Sequence, residues 1–175
     1  MVSTVMRLIK KTNIVILVSY VISLFIFSTS YYAGYSMNTH YIQDETSYNV
    51  MDIFINNTII SIVMFLGVFS LGLINLGLAV INGFNVGSLM QFVTKNMDYS
   101  EIMWNIVPHG IFEIPSIIIS TSIGFIPAIL LIQKAHRKHK INYMSYVKYI
   151  GVLFLVVLLL NIIAAIVEVN VTMNS

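Results

Sequence analysis

IFINNTIISIVMFLGVFSLGLINLGLAVINGFNVGSLMQFV, residues 53–93, runs for 41 residues without one ionisable side chain. A helix rises ~1.5 Å per residue, and roughly 20 residues cross the ~30 Å hydrocarbon core of a bilayer. The stretch is about twice one crossing, so it must reverse once. GLINLG, Gly72 to Gly77, holds the expected turn, giving helices near 53–72 and 76–94. This pair leaves and returns to one side, so the remaining topology is the same even if the turn is re-entrant.

The flanking sequence has the same character. Apolar runs at about 13–35, 104–132 and 146–167 bring the expected helices to five. An outer loop at 36–51 carries Asp44 and Glu45 without Lys or Arg, and a basic loop occupies 134–142. Hydrophobic residues make up 58% of the chain and charged residues 9%, with a mean hydropathy of +0.88. A water-soluble protein of 175 residues has too much surface for so few charges. The fold expected is all-α, a polytopic integral membrane protein forming one transmembrane domain. The first run follows basic residues as a signal peptide does, but it is too long and lacks a clear small-residue cleavage site, so it reads as an uncleaved anchor.

Orientation follows from Lys and Arg, which are retained on the cytoplasmic side. With the N-terminus inside, Arg7, Lys10, Lys11, Lys134, Arg137, Lys138, Lys140 and Lys148 fall on that side, and Lys95 falls outside. The expectation is N-in and C-out. Tyr31, Tyr32 and Tyr35 would then lie at the outer interface, where amphipathic rings prefer to sit. The basic residues flank apolar runs and form no stripe with aromatics, which argues against a nucleic-acid partner. The loop AHRKHK, 135–140, reads first as a topology determinant near anionic lipid, with a cytoplasmic docking surface as the alternative.

One acidic residue lies deep in an apolar run. Glu113 sits some nine residues into the 104–132 segment, where a charge costs about 3 kcal/mol on insertion scales. His109 is four residues earlier and so on the same helix face. Pro108 and Pro115 bracket the pair in PHGIFEIP, 108–115, and mark expected helix kinks. A helix beginning at Pro108 would instead put the pair shallower, facing an outer cavity. Two readings stand side by side: Glu113 locks helices together through hydrogen bonds, or it serves as a proton relay, ligand site or general base. Asn82 and Asn85 are the residues expected to meet Glu113 from the neighbouring helix, completing an intramembrane polar site.

Enzymatic chemistry finds little support. Cysteine is absent, HExxH, GxSxG and GxxxxGK[ST] patterns are missing, and the remaining histidines, His40, His136 and His139, lie in loops. No catalytic residues, metal or cofactor are expected. Gly67, Gly72, Gly83 and Gly87 read as helix-packing positions, with GFNVG at 83–87 a GxxxG of the kind that lets backbones approach.

These residues carry a family resemblance. The Asn-bearing second span (Asn56, Asn57), Gly67 and Gly72, NGFNVG at 82–87, and PHGIFEIP at 108–115 followed by Gly124 resemble the stage II sporulation protein M family over about residues 50–135. The resemblance implies a non-enzymatic membrane protein working in a complex. In that family such proteins help place peptidoglycan-remodelling proteins during spore engulfment, while short members accompany circular bacteriocin clusters in secretion or immunity. The partners so implied are the lipid bilayer and other membrane proteins, including an ABC-type ATPase or peptidoglycan-remodelling proteins, or a second copy in a homo-oligomer.

Overall fold

The computed structural model describes residues 2–37, 50–136 and 141–172. Expectations resting on His40, Asp44, Glu45, Arg137, Lys138, His139 and Lys140 lie outside the described residues, as do those on the side chains of 2–13, Asn56 and His109. The described chain is helical, with no strand: α1 (Val2–Ser36), α2 (Val50–Leu66), a 3-10 turn (Gly67–Ser70), α3 (Leu73–Asn96), a single turn α4 (Tyr99–Glu101), a π turn (Ile102–Ile106), α5 (Val107–His136) and α6 (Tyr143–Thr172). Four segments are long and apolar enough to cross a membrane: 14–36, 73–96, 110–136 and 143–170. α2 belongs to a shorter apolar stretch, 57–70.

The reversal between α2 and α3 falls at 67–72, earlier than the 72–77 expected. Leu71 and Gly72 both take left-handed backbone, φ 55° and 89°. Their N–H groups close the turn onto Val68 O (3.4 Å) and Gly67 O (3.1 Å), which satisfies carbonyls that a helix end leaves orphaned. Asn75 explains the shift. It is wholly buried inside α3, and its Nδ2 donates to Met64 O of α2 (2.7 Å) and to Ser120 O of α5 (3.1 Å). A turn at 72–77 would have taken that amide out of register.

Between the expected helices near 76–94 and 104–132, only Met97 and Asp98 lie outside helix. Glu101 accepts from the Asp98 N–H at 3.2 Å and starts helical structure at Tyr99. Pro108 therefore does not open the helix. Its ring would collide with the carbonyl one turn back, and the backbone widens into the π turn at 102–106, one turn before it. Helix continues through Pro115 and Pro127. At the far end α6 runs to Thr172, beyond the expected boundary at 167.

The most extensive packing is α1 on α3, followed by α5 on α6. α1 and α3 run parallel. A Cβ on Gly83 would stand 2.9 Å from Phe27 O, one on Gly87 would collide with Tyr31 O, and Ser88 Oγ donates to Gly34 O at 3.4 Å. Ten residues back from Gly83, ~15 Å along the axis, α3 begins level with Val18 to Tyr20 of α1. The α2–α3 reversal thus ends ~12 Å short of Lys11 by the same rise, packed against the middle of α5, where Gly72 meets Phe125.

Burial is distributed as a bilayer demands. Large apolar side chains cover the surface, among them Phe69, 84% exposed, and Leu73, 72% exposed. The interior holds Ser19, Ser23, Ser61, Asn75, Ser116, Ser120, Thr121 and Asn161 beside Met64 and Ile123. Lipid solvates apolar atoms as well as a core does, so the interior is left to small and hydrogen-bonded residues. Toward the end of α1 that carries its basic residues the bundle is closed by an apolar cluster of Val15, Ile126, Leu130 and Tyr146.

Candidate functional site

Glu113 lies on α5 one turn before Ser116, and two different environments meet at it. On one side is a polar cluster joining α2, α5 and α6. Asn161 Nδ2 donates to Ser61 Oγ (2.8 Å) and Asn57 O (3.2 Å), and its Oδ1 accepts from Ser116 Oγ at 2.6 Å. Three helices are thereby fixed through one amide that is 2% exposed. Beside it lies a void of about 10 Å³, room for roughly one water, bordered by Asn57, Asn82, Glu113 and Asn161. Asn57 Nδ2 is buried there without a protein partner, the kind of donor an internal water satisfies.

On the other side is a cavity of about 660 Å³ between α1, α3 and α5. Phe27, Val86, Leu89 and Ile118 represent its apolar walls, with Ser28, Tyr31 and Glu113 adding polar atoms, and Glu113 is the one acidic residue among the described lining. The cavity occupies the end of the bundle that carries Tyr35 and Trp104, opposite the apolar cluster of Val15 and Tyr146. α1 supplies that placement directly, since Tyr31 lines the cavity while Val15 belongs to the plug.

The predicted residues fare differently. Asn82 shares the small void with Glu113 and donates its Nδ2 to Leu78 O at 2.8 Å. Asn85 is exposed on α3 and is not brought to Glu113. At 100° per residue it lies roughly 120° around the helix from buried Ala79, outside the inward stripe. His109 is one turn before Glu113 on α5, as its spacing requires. Pro115 lines the large cavity, and Pro108 follows the π turn. Gly83 and Gly87 face α1, Gly67 makes room for the Asn75 amide, and Gly72 supplies the left-handed turn. Asn161, Ser116 and Ser61 were not anticipated. The signal for Asn161 was available: it is the one Asn between Tyr146 and Val167, the most apolar span.

The fold and this interior define a helical membrane protein. The family profile for stage II sporulation protein M matches residues 12–173, and the chain belongs to that family. It is also 33% identical over 127 residues, 71% of either chain, to an uncharacterised protein of the archaeon Methanocaldococcus jannaschii. No solved structure matches.

Proposed function

We propose that this chain is a multi-pass, non-enzymatic subunit of a cell-membrane complex, with Glu113 and the cavity beside it as the contact point for a partner. The observation that carries this reading is the division of labour at Glu113. Asn161, Ser61 and Ser116 are engaged in tying α2, α5 and α6 together, whereas the cavity between α1, α3 and α5 is a large, mostly apolar recess that reaches Glu113. Family membership supports two settings, circular bacteriocin secretion or immunity and the spore-engulfment machinery. An ABC-type ATPase is the partner expected in the first, peptidoglycan-remodelling proteins in the second.

Purification in mild detergent from the native membrane tests the reading. The wild-type chain should bring a stoichiometric partner, and Glu113→Gln should lose it at unchanged membrane abundance. A wild-type chain that arrives alone would contradict the proposal.

A second reading, a transport component in which His109 and Glu113 relay protons, draws on the water-sized void joining Glu113 to Asn57. It requires Glu113→Gln to abolish proton-coupled activity while the complex stays assembled.

A further inference from the structure

We infer that the α2–α3 reversal is a re-entrant tip standing in hydrocarbon, with lipid acyl chains as the partner that covers it. The hydrogen bond between Ser116 and Asn161 sets α5 and α6 level with each other and serves as a ruler. Counted from it toward the basic end, Phe125 is nine residues along α5, Lys148 thirteen along α6 and Lys134 eighteen along α5. Gly72 packs against Phe125. At ~1.5 Å per residue it therefore lies ~6 Å inside Lys148 and ~13 Å inside Lys134. Lys148 has an apolar stem that carries its ammonium outward, as lysines near a membrane surface do. Half of a ~30 Å hydrocarbon core is ~15 Å. α1 gives the same depth independently, since α3 begins ~12 Å short of Lys11.

A chain that reverses in lipid has no water to satisfy its backbone, and irregular backbone is tolerated there where protein buries it. This turn meets both demands. Gly67 and Gly72 are buried, which turns the backbone toward the bundle and the side chains away from it. Leu71 N–H donates to Val68 O and Gly72 N–H to Gly67 O. Ser70 Oγ donates to Gly67 O (2.8 Å) and accepts from Ile74 N–H (3.1 Å). That last bond satisfies a donor which the start of a helix otherwise leaves to water.

The side chains name the occupant. Between 66 and 74 the exposed residues are Leu66, Phe69, Leu71, Leu73 and Ile74. A tip in water would carry polar or charged side chains there. A protein partner in the membrane would be met by small residues and amides, as α1 meets α3 through glycines and as Asn161 joins α2 to α6. The exposed face of the tip has neither kind, and large apolar side chains are what acyl chains solvate. Chains of the leaflet on the basic side fill the space beneath the tip. A partner in water then meets that end of the bundle at the start of α1 and along the α5–α6 connection, and not at α2–α3.

The chain lacks cysteine, so single thiols carry spin labels without background. The full chain is placed in phosphatidylcholine vesicles as Phe69→Cys, Leu73→Cys and Lys134→Cys, each bearing a nitroxide. Oxygen concentrates in hydrocarbon, and a nickel chelate stays in water. Oxygen should relax the labels at 69 and 73 with the chelate effect lost, and the chelate should dominate at 134. Phe69→Asp should lower membrane abundance severalfold, because a charge in hydrocarbon opposes insertion, while Phe69→Leu keeps it. A chelate effect at 69 equal to that at 134 would put the tip in water and overturn the inference. Labels at 69 and 73 reached by neither agent would mean that protein, a second copy or a partner, covers the tip, which overturns it as well. So would full abundance of Phe69→Asp. The spin-label comparison relies on positions whose side chains point out of the bundle, Phe69 being 84% exposed, so it does not depend on a variant that disturbs packing.

Discussion

The two seams of this bundle are held in opposite ways. Where α1 meets α3, Gly34, Gly83 and Gly87 bring backbone against backbone, so close that a Cβ on Gly34 would run into Phe84 O and one on Gly87 into Tyr31 O. Where α2, α5 and α6 meet, Asn161 bridges the three helices with three hydrogen bonds. Both answer one problem. Apolar surface gains little by leaving lipid for another helix, so association must come from close van der Waals packing or from interhelical hydrogen bonds. The glycine seam is intolerant of volume, and the amide seam is intolerant of losing polarity.

That contrast predicts different sensitivities. Gly87→Leu drives a side chain into the backbone of α1, where no flexible neighbour can yield. It should cost more than the ~1–3 kcal/mol of ordinary overpacking and deplete the protein from membranes, read by quantitative immunoblot of the membrane fraction. Normal abundance would mean that α1 and α3 are not held by close approach. Asn161→Leu keeps the branched shape and removes the bridge, leaving Ser116 Oγ and Ser61 Oγ to find other partners. A loss of about 1–2 kcal/mol is expected, seen as a lower unfolding temperature in detergent with the protein still inserted. A neutral result would make the amide incidental. Gly77→Ala is the control for the first variant. Nothing lies within 4 Å of a Cβ there, so the change should be neutral or stabilise by up to ~1 kcal/mol through helix propensity. A marked loss at Gly77 would place α3 against something at that face.

How far the sequence could be read follows the same divide. Glycines at 83 and 87 are four apart, and that spacing alone puts both on one helix face, so the close seam was visible. Spans without charge were visible for the same reason, since composition carries them. The reversal was placed five residues late because Gly72 and Gly77 both look like turn glycines, and only the tertiary demand of Asn75 on Met64 and Ser120 separates them. Asn85 was expected at the site together with Asn82, but it lies roughly 120° around the helix from buried Ala79 and is exposed. Asn161 was overlooked although a lone amide in an apolar span is the same signal that drew attention to Glu113. Its partners come from helices 45 and about 100 residues away in the chain, and no local pattern names them.

All of these seams are argued for helices lying in lipid, with Arg7, Lys10 and Lys11 on the same side as the basic segment after α5 and Glu113 toward the other. Placing reporter tags within 38–49 and within 137–140 measures that directly. The tag in 38–49 should be reached from outside intact cells and the tag in 137–140 only after the membrane is opened. Both tags on one face would contradict the arrangement.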